Sequence, residues 1–475
     1  MTATIYTILD EFRQAATSNR DLGDKFERLI AAFLKTDPLY VDLYSDVWLW
    51  QEWPNRGPHA DAGIDLVARE RCTGELCAIQ CKFYDPSHWL SKADIDSFFT
   101  ASGRVPFTRR MIVSTTDKWG SNAEEALKEQ HTPVVRLCVR DLEASPVDWS
   151  QFSLNRPQDM RLKTKDDLRE HQRQALAAVA AGFGSGDRGK LIMACGTGKT
   201  FTALKISEAL CPTQEASFVL FLVPSLSLLS QSLREWTAQA EAPIHSLAVC
   251  SDTKVGQRKD AEDVSVHDLA FPPTTSGVRL AAQVKGFAGS KQRVVAFSAY
   301  QSIAAVADAQ RRGLPDFDLI ICDEAHRTTG VTLDGDDESH FVRAHDQAFL
   351  RGKKRLYMTA TPRIFSDGTK TDAQQADATL CSMDDEALFG PEFHRLGFSE
   401  DVRRDLLSDY KVMVLAVDEK YVSSTFQRQF ADTDRRARTP SKSPDESRCP
   451  ATARTTPARD RRGAHRRLFP SRLGR

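Results

Sequence analysis

A chain of 475 residues with 41% hydrophobic and 27% charged residues is long enough for about two to four domains, and its ordinary globular composition excludes a fibrous or wholly disordered protein. A formal net charge of -1 excludes a chain that is basic throughout, while leaving room for a local basic groove. The opening MTATIYTILDEFRQ carries acids where a secretory leader keeps an apolar core, and the most apolar run, FVLFLVPSLSLL at 218–229, is too short and too broken by Pro and Ser to cross a membrane.

Ten cysteines lack paired spacing and are expected to be reduced core residues of a cytoplasmic protein. Cys72, Cys77 and Cys81 cluster in sequence without the CxxC or histidine companions of a zinc site. The first expected element with chemical interest is the helix DKFERLIAAFLK. Phe26, Leu29, Ile30, Phe33 and Leu34 share one face, and Glu27 sits at the edge of that stripe, within reach of a sheet-borne site. Trp48, Trp50 and Trp53 follow at spacings that read as core.

A hairpin comes next. In GIDLVARER, alternation puts Ile64, Leu66 and Ala68 on one face and Asp65, Val67 and Arg69 on the other. CTGE at 72–75 is a turn signal. In CAIQCKFYDP, Ile79, Cys81 and Phe83 share a face, while Ala78, Gln80 and Lys82 share the opposite one. A turn centred between Thr73 and Gly74 pairs Val67 with Gln80 and Asp65 with Lys82, gathering Asp65, Gln80 and Lys82 into one patch. A carboxylate there can hold Mg2+, and a lysine beside it can orient water or neutralise charge on a phosphodiester. Read only as a cross-strand salt bridge on a wet face, the same pair contributes little.

FERLIAAFL, DAGIDLVA and IQCKFY together resemble the Mrr-type restriction endonuclease domain, a branch of the PD-(D/E)xK nucleases. The resemblance implies an active site of Glu27, Asp65, Gln80 and Lys82, with Asp65 as metal ligand. Gln80 stands where the wider superfamily has Glu, and Glu27 compensates for that neutral ligand. RRMIVSTTDKWGSNAEEAL at 109–127 and VRLCVRDLEASPVDW at 135–149 resemble the strand, helix and closing strand that follow, so a restriction-endonuclease-like α/β/α domain is expected over 1–150.

A polar linker containing Pro157 is expected at 151–167. From 168 to 400, short apolar strands alternate with helices, the pattern of a parallel α/β sheet. GKLIMACGTGKTFTALKISEAL at 189–210 reads as strand, loop and helix. In its loop, Gly196, Thr197 and Gly198 let backbone N–H groups wrap a phosphate chain at a helix N-terminus. Lys199 can reach the β- and γ-phosphates of ATP and Thr200 can ligate Mg2+, although Met193 stands at the first glycine of the strict pattern. FDLIICDEAHRTTG at 317–330 ends a buried strand with Asp323, placed to hold the metal, and Glu324, placed to polarise the attacking water.

In this order the segments resemble superfamily 2 helicases and translocases, specifically the DEAH-containing motor of restriction enzymes, which implies a RecA-like parallel-sheet lobe. LREHQRQAL is similar to the adenine-sensing segment and implicates Gln172, and His326 joins the nucleotide set. FLVPSLSLLSQSLREW and FSAYQS resemble segments that touch the nucleic-acid backbone, with Ala299 where a threonine is usual. RLYMTATPRIF resembles the motif coupling hydrolysis to movement through Thr359 and Thr361. DYKVMVLAVDE at 409–419 resembles the first strand of a second lobe, expected incomplete over 401–426, and the Arg-rich stretch 427–475 reads as a disordered, out-of-frame end. The expectation is an ATP-dependent DNA restriction endonuclease in truncated form, with Mg2+ and ATP as cofactors and weak ATP binding with poor hydrolysis. Its expected partners are double-stranded DNA and a methyltransferase or specificity subunit, with no membrane. The rival readings are an ATP-binding DNA-binding or remodelling module without nuclease activity, and an inactive fragment.

Overall fold

The computed structural model describes residues 3–398 and Arg403, apart from 57–62, 129, 213–215, 251–264, 286, 288–291, 334–340 and 370–377. All lie within one compact unit, Met1–Asp409. The expected opening of a second lobe and the basic end lie outside the described residues, Arg403 excepted.

Helices α1 (Ile5–Ala15), α2 (Asn19–Leu34) and α3 (Pro38–Leu43) lead into a five-stranded sheet. Its strands, in spatial order, are β1 (Tyr44–Leu49), β2 (Leu66–Glu70), β3 (Leu76–Lys82), β4 (Phe107–Ser114) and β5 (Val134–Cys138). The first two pairings are antiparallel and the last two parallel. A parallel step needs a crossover. These are supplied by α4 (Ala93–Ser102) and α5 (Ser121–Leu127), and α6 (Val139–Ala144) follows β5.

α2 starts where the Ser18 hydroxyl accepts from the Asp21 N–H at 3.1 Å. Its stripe Phe26, Leu29, Ile30, Phe33 and Leu34 is buried against Leu66, Ala68, Cys77 and Ile79. On the other face Val67, Ala78 and Ile112 pack against Ile95 and Phe98 of α4 and Leu127 of α5. The sheet is therefore covered on both sides, which gives the expected α/β/α layering. Trp50 and Trp53 are buried in this second cluster, while the guanidinium of Arg69 lies 5.0 Å over the Trp48 ring.

Two details of the hairpin differ from expectation. Leu66 faces Ile79, a register two residues away from the expected pairing. The cause lies in the turn: Gly74 takes φ +72° and donates to Glu70 O at 2.9 Å, and Glu70 N donates to Glu75 O at 2.8 Å. One helical turn is thereby inserted between the strands, centred earlier than CTGE suggests. A two-residue slip keeps every β2 and β3 side chain on its face. Ile64, however, joins Val67 rather than Leu66 in the core, because Gly63 at φ +81° turns the chain just before β2 begins.

β7 (Arg161–Leu162), within the expected linker, pairs antiparallel with β6 (Val147–Asp148), just before it. There follow α7 (Glu170–Gly182), β8 (Arg188–Met193), α8 (Lys199–Leu210), β9 (Ser217–Val223), α9 (Leu226–Gln239) and β10 (Ile244–Val249). The chain continues with α10 (Gly277–Lys285), β11 (Arg293–Ala299), α11 (Ile303–Arg311) and β12 (Leu319–Cys322). It then runs through β13 (Gly330–Leu333), β14 (Arg355–Thr359), β15 (Ala378–Cys381) and β16 (Glu392–Leu396). Seven of these strands form one parallel sheet in the order β10-β11-β9-β12-β14-β8-β16. Every residue of β9, β11 and β12 is buried, as continuous apolar strands covered on two faces require. Because neighbouring strands are parallel, the loops after β8, β12 and β14 leave the same edge.

α3 packs against α9 and β10, joining the two sheets' surroundings. Asp42 and His245 lie 2.7 Å apart, and Asp141 and Arg234 2.9 Å apart. Arg136 Nη2 donates to Asp268 Oδ2 at 3.1 Å, and the His267 ring nitrogen Nδ1 lies 2.8 Å from Val134 O. No described helix is long and apolar enough to cross a membrane.

Candidate active sites for phosphodiester cleavage and nucleotide binding

The end of β3 gathers the first set of expected residues. Cys81 N–H donates to Asp65 Oδ2 at 2.6 Å, which seats the Asp65 carboxylate against β3. The Cys81 thiol registers the surrounding charges. Burial raises it well above its usual range, the carboxylates of Asp65 and Glu27 raise it further, and the Lys82 ammonium opposes them. The charges of Glu27, Asp65 and Lys82 all act on the Cys81 thiol, although they come from α2, the turn before β2, and β3. Cys81 was expected only as an apolar-face residue; nothing in its alternation marks it as the centre of this group.

Gln80 is buried, at 2% exposure. Its Nε2 donates to Gly63 O at 3.0 Å, which fixes the orientation of the amide, and its Oε1 is buried without a partner. A buried oxygen with no donor is costly unless something electropositive reaches it. A divalent cation is such a group, and an amide oxygen and a carboxylate such as those of Gln80 and Asp65 are the donor types that Mg2+ takes. Among the described residues no group of three His, Cys, Asp or Glu side chains could hold a metal, so neither a zinc site nor a carboxylate-only cage is present there. No disulfide joins any of the nine described cysteines.

The second set lies on the shared edge of the parallel sheet. Gly196 and Gly198 adopt φ +85° and +78°, the left-handed conformations that wind the loop between β8 and α8. A Cβ on Gly198 would stand 2.5 Å from Gln172 Nε2. Gln172 Nε2 donates to Thr197 O at 3.2 Å, and Gln172 Oε1 accepts from Arg169 N–H at 2.9 Å. His171 Nε2 lies 3.0 Å from the same Thr197 carbonyl. Gln172 is thus engaged at both ends as a brace for the loop. His171, which the sequence did not single out, is a second brace, detectable only from its position one residue before Gln172. Thr197 Oγ1 donates to Ala194 O at 2.7 Å.

Lys199 Nζ stands 3.9 Å from Glu324 Oε1, so the P-loop lysine meets the acid that follows β12. Asp323 is buried, and burial, then the Glu324 carboxylate, raise its carboxyl to about 6, against the pull of the Glu324 N–H and Lys199. Among the described residues the Thr200 hydroxyl makes no hydrogen bond, while Thr200 O accepts from Trp236 Nε1 at 3.0 Å. A free hydroxyl on α8 and a buried carboxylate electrostatically linked to Lys199 are the donor types that a nucleotide-bound Mg2+ takes. His326 Nδ1 lies 3.3 Å from Glu324 Oε2 and 3.0 Å from Thr359 Oγ1, and burial lowers its pKa first of all. Thr359 Oγ1 also donates to Thr361 O at 3.2 Å, so Glu324, His326, Thr359 and Thr361 form one connected chain of polar groups.

Comparison with known proteins finds a separate family match for each of the two sheets. Residues 35–159 match a family described as "Restriction endonuclease", and residues 165–364 match one described as "Type III restriction enzyme, res subunit". The structure of the ATP-dependent Type ISP restriction-modification enzyme LlaBIII bound to DNA is 40% identical, with a TM-score of 0.72, over 90% of this chain and 27% of that one. A probable helicase of African swine fever virus is 27% identical over 292 residues, 61% of this chain and 28% of its own length. The chain therefore spans little more than a quarter of the length of either relative. Its first part thus resembles a restriction-endonuclease domain, its second the res subunit of Type III restriction enzymes, and most of the chain is similar to part of a Type ISP restriction-modification enzyme.

Proposed function

We propose that this chain is the nuclease and motor portion of an ATP-dependent DNA restriction endonuclease. The observation that carries the reading is the Asp65 carboxylate seated on the Cys81 N–H of β3, the strand that also bears the unpartnered Gln80 Oε1 and Lys82. The reading takes 1–150 as the nuclease, 151–167 as a linker and 168–400 as the motor lobe, with double-stranded DNA as substrate. Asp65 and Gln80 would hold Mg2+, which when bound supplies Lewis-acid charge at the scissile phosphate. Lys82 balances the negative charge that builds on the phosphoryl oxygens, and Glu27 adds a carboxylate that compensates for the neutral Gln80. In the motor, Lys199 leaves Glu324 to meet the β- and γ-phosphates, Thr200 and Asp323 would hold the nucleotide's Mg2+, and Glu324 takes a proton from the attacking water. A methyltransferase or specificity subunit as further partner belongs to the same proposal.

Incubation of supercoiled plasmid with Mg2+ tests the nuclease half. Wild type is expected to nick, and Asp65→Ala and Lys82→Ala to lose roughly a hundredfold or more of that rate. Equal nicking by all three proteins would remove the nuclease assignment. One observation favours a second reading, a DNA-binding module without cleavage: Asp65 Oδ2 is already occupied by Cys81 N–H, and Asp65 would have to share it with a metal. DNA affinity without nicking in either Mg2+ or Mn2+ would support that alternative.

A further inference from the structure

Glu324 has φ +47°, and among the described residues it is the non-glycine residue with positive φ. A side-chain-bearing residue enters the left-handed region only when its surroundings hold it there. The peptide joining Asp323 to Glu324 is gripped at both of its polar atoms. Its N–H donates to Asp323 Oδ1 at 2.9 Å, and its carbonyl oxygen accepts from the Tyr300 hydroxyl at 2.9 Å. Rotation about the next bond is the φ of Glu324, so the plane fixed by these two contacts is the plane from which the Glu324 side chain departs.

Tyr300 is well placed to act as such a grip. It follows the last residue of β11, is fully buried, and its ring stacks on Phe341 with centroids 4.9 Å apart and planes 27° apart. The ring has no room to swing, and the hydroxyl is held at one point. A buried tyrosine needs a partner for its O–H, and many carbonyls could serve. Here the partner is the carbonyl that precedes the left-handed acid. The Cys322 thiol also borders the hydroxyl. Glu324 emerges with one carboxylate oxygen 3.9 Å from Lys199 Nζ and the other 3.3 Å from His326 Nδ1.

We propose that Tyr300 is a positioning residue for ATP hydrolysis: its hydroxyl holds the Asp323–Glu324 peptide so that the Glu324 carboxylate faces the phosphate end of the loop. The proposal rests on the reading of Glu324 as the group that activates water. Without the hydroxyl, the peptide keeps only its Asp323 contact and Glu324 samples other φ values. Of the nucleotide's proposed binding groups, Lys199 and Thr200 lie on a different element, and Asp323 keeps its Oδ1 contact with the Glu324 N–H.

The test compares full-length wild type, Tyr300→Phe and Cys322→Ala in single-turnover hydrolysis of radiolabelled MgATP, alongside affinity for a fluorescent ATP analogue and thermal melting. Tyr300→Phe is expected to lower the hydrolysis rate roughly tenfold, with nucleotide affinity changed less than about twofold and an unaltered melting transition. Cys322→Ala is expected to match wild type. Equal rates for Tyr300→Phe and wild type overturn the proposal. So does a joint loss of rate, affinity and melting temperature, which would make the hydroxyl a fold contact only. A Cys322→Ala protein as slow as Tyr300→Phe overturns it as well, because the thiol would then be the operative partner. Absence of hydrolysis in wild type removes the underlying reading of Glu324 instead, and is recognised before any variant is compared.

Discussion

At the scale of single residues, Gln80 is the most telling side chain of the proposed nuclease site. Its amide nitrogen is committed to Gly63 O and its oxygen is buried alone. Gln80→Glu would turn a carboxylate oxygen toward that carbonyl, losing a hydrogen bond and adding repulsion. The metal-free variant is expected to be destabilised by about 1–3 kcal/mol in urea unfolding. Mg2+ is expected to restore more stability to the variant than to wild type, because the added charge strengthens the oxygen donor set. Restoration of both proteins to the same extent would argue against metal at this position. Gly198→Ala is the corresponding probe of the motor. Its Cβ would meet Gln172 Nε2 at 2.5 Å in a left-handed backbone, so ATP affinity by fluorescence titration is expected to fall tenfold or more, roughly 1–3 kcal/mol. Gln80 and Lys82 could be picked out in the sequence as polar residues within a strand, whereas Glu27 stood only at the edge of an apolar stripe and entered the proposed site through the family resemblance. Their contacts were not legible: Gln80 is anchored by a carbonyl from a turn, and turn geometry depends on φ values that a sequence does not print.

At the scale of elements, local pattern and long-range register behaved differently. The strand–loop–helix of β8 and α8 is specified within about two dozen residues, and its two loop glycines, Gly196 and Gly198, occur where φ is positive. The β2–β3 hairpin was legible as a hairpin, but its register followed Gly74 and the helical turn at Glu70–Gly74 rather than the centre of CTGE. β14 carries a further prediction. His345 is buried with Nδ1 2.9 Å from the Tyr357 hydroxyl and Nε2 3.1 Å from Thr328 O. Burial lowers its pKa to about 4. The unfolded chain titrates near 6.5, so between roughly pH 6.5 and 4 the unfolded state binds the extra proton. The neutral histidine's contribution is complete above about 6.5 and is lost as pH falls, amounting to about 3 kcal/mol by pH 4. His345→Gln is expected to flatten the acid limb of the stability curve over this window, measured by denaturant midpoints at several pH values. An unchanged slope would contradict the burial argument.

At the scale of the whole molecule, the nuclease and motor are joined by charge pairs that no motif announces. Asp42 with His245, Asp141 with Arg234 and Asp268 with Arg136 each connect residues far apart in sequence, so periodicity carries no trace of them. Asp37 and Tyr40 also face Arg234. Buried pairs specify geometry more than they add net stability, and breaking one leaves a charge uncompensated at a cost of about 3–5 kcal/mol. Arg234→Glu is expected to split a single calorimetric transition into two, with the nuclease melting apart from the motor. The double variant Asp141→Arg with Arg234→Glu should recover much of the joint transition. Two transitions already present in wild type would mean that the pairs do not clamp the domains.

The central claim is that one polypeptide holds two separate oxygen-lined cation sites, one on each sheet. Titration of the full chain with Mn2+, followed by electron paramagnetic resonance with and without a non-hydrolysable ATP analogue, counts them directly. The account predicts one site without nucleotide, abolished by Asp65→Ala, and a second that appears with nucleotide and is abolished by Asp323→Ala. A single site under both conditions, or loss of both sites from either substitution, would contradict it.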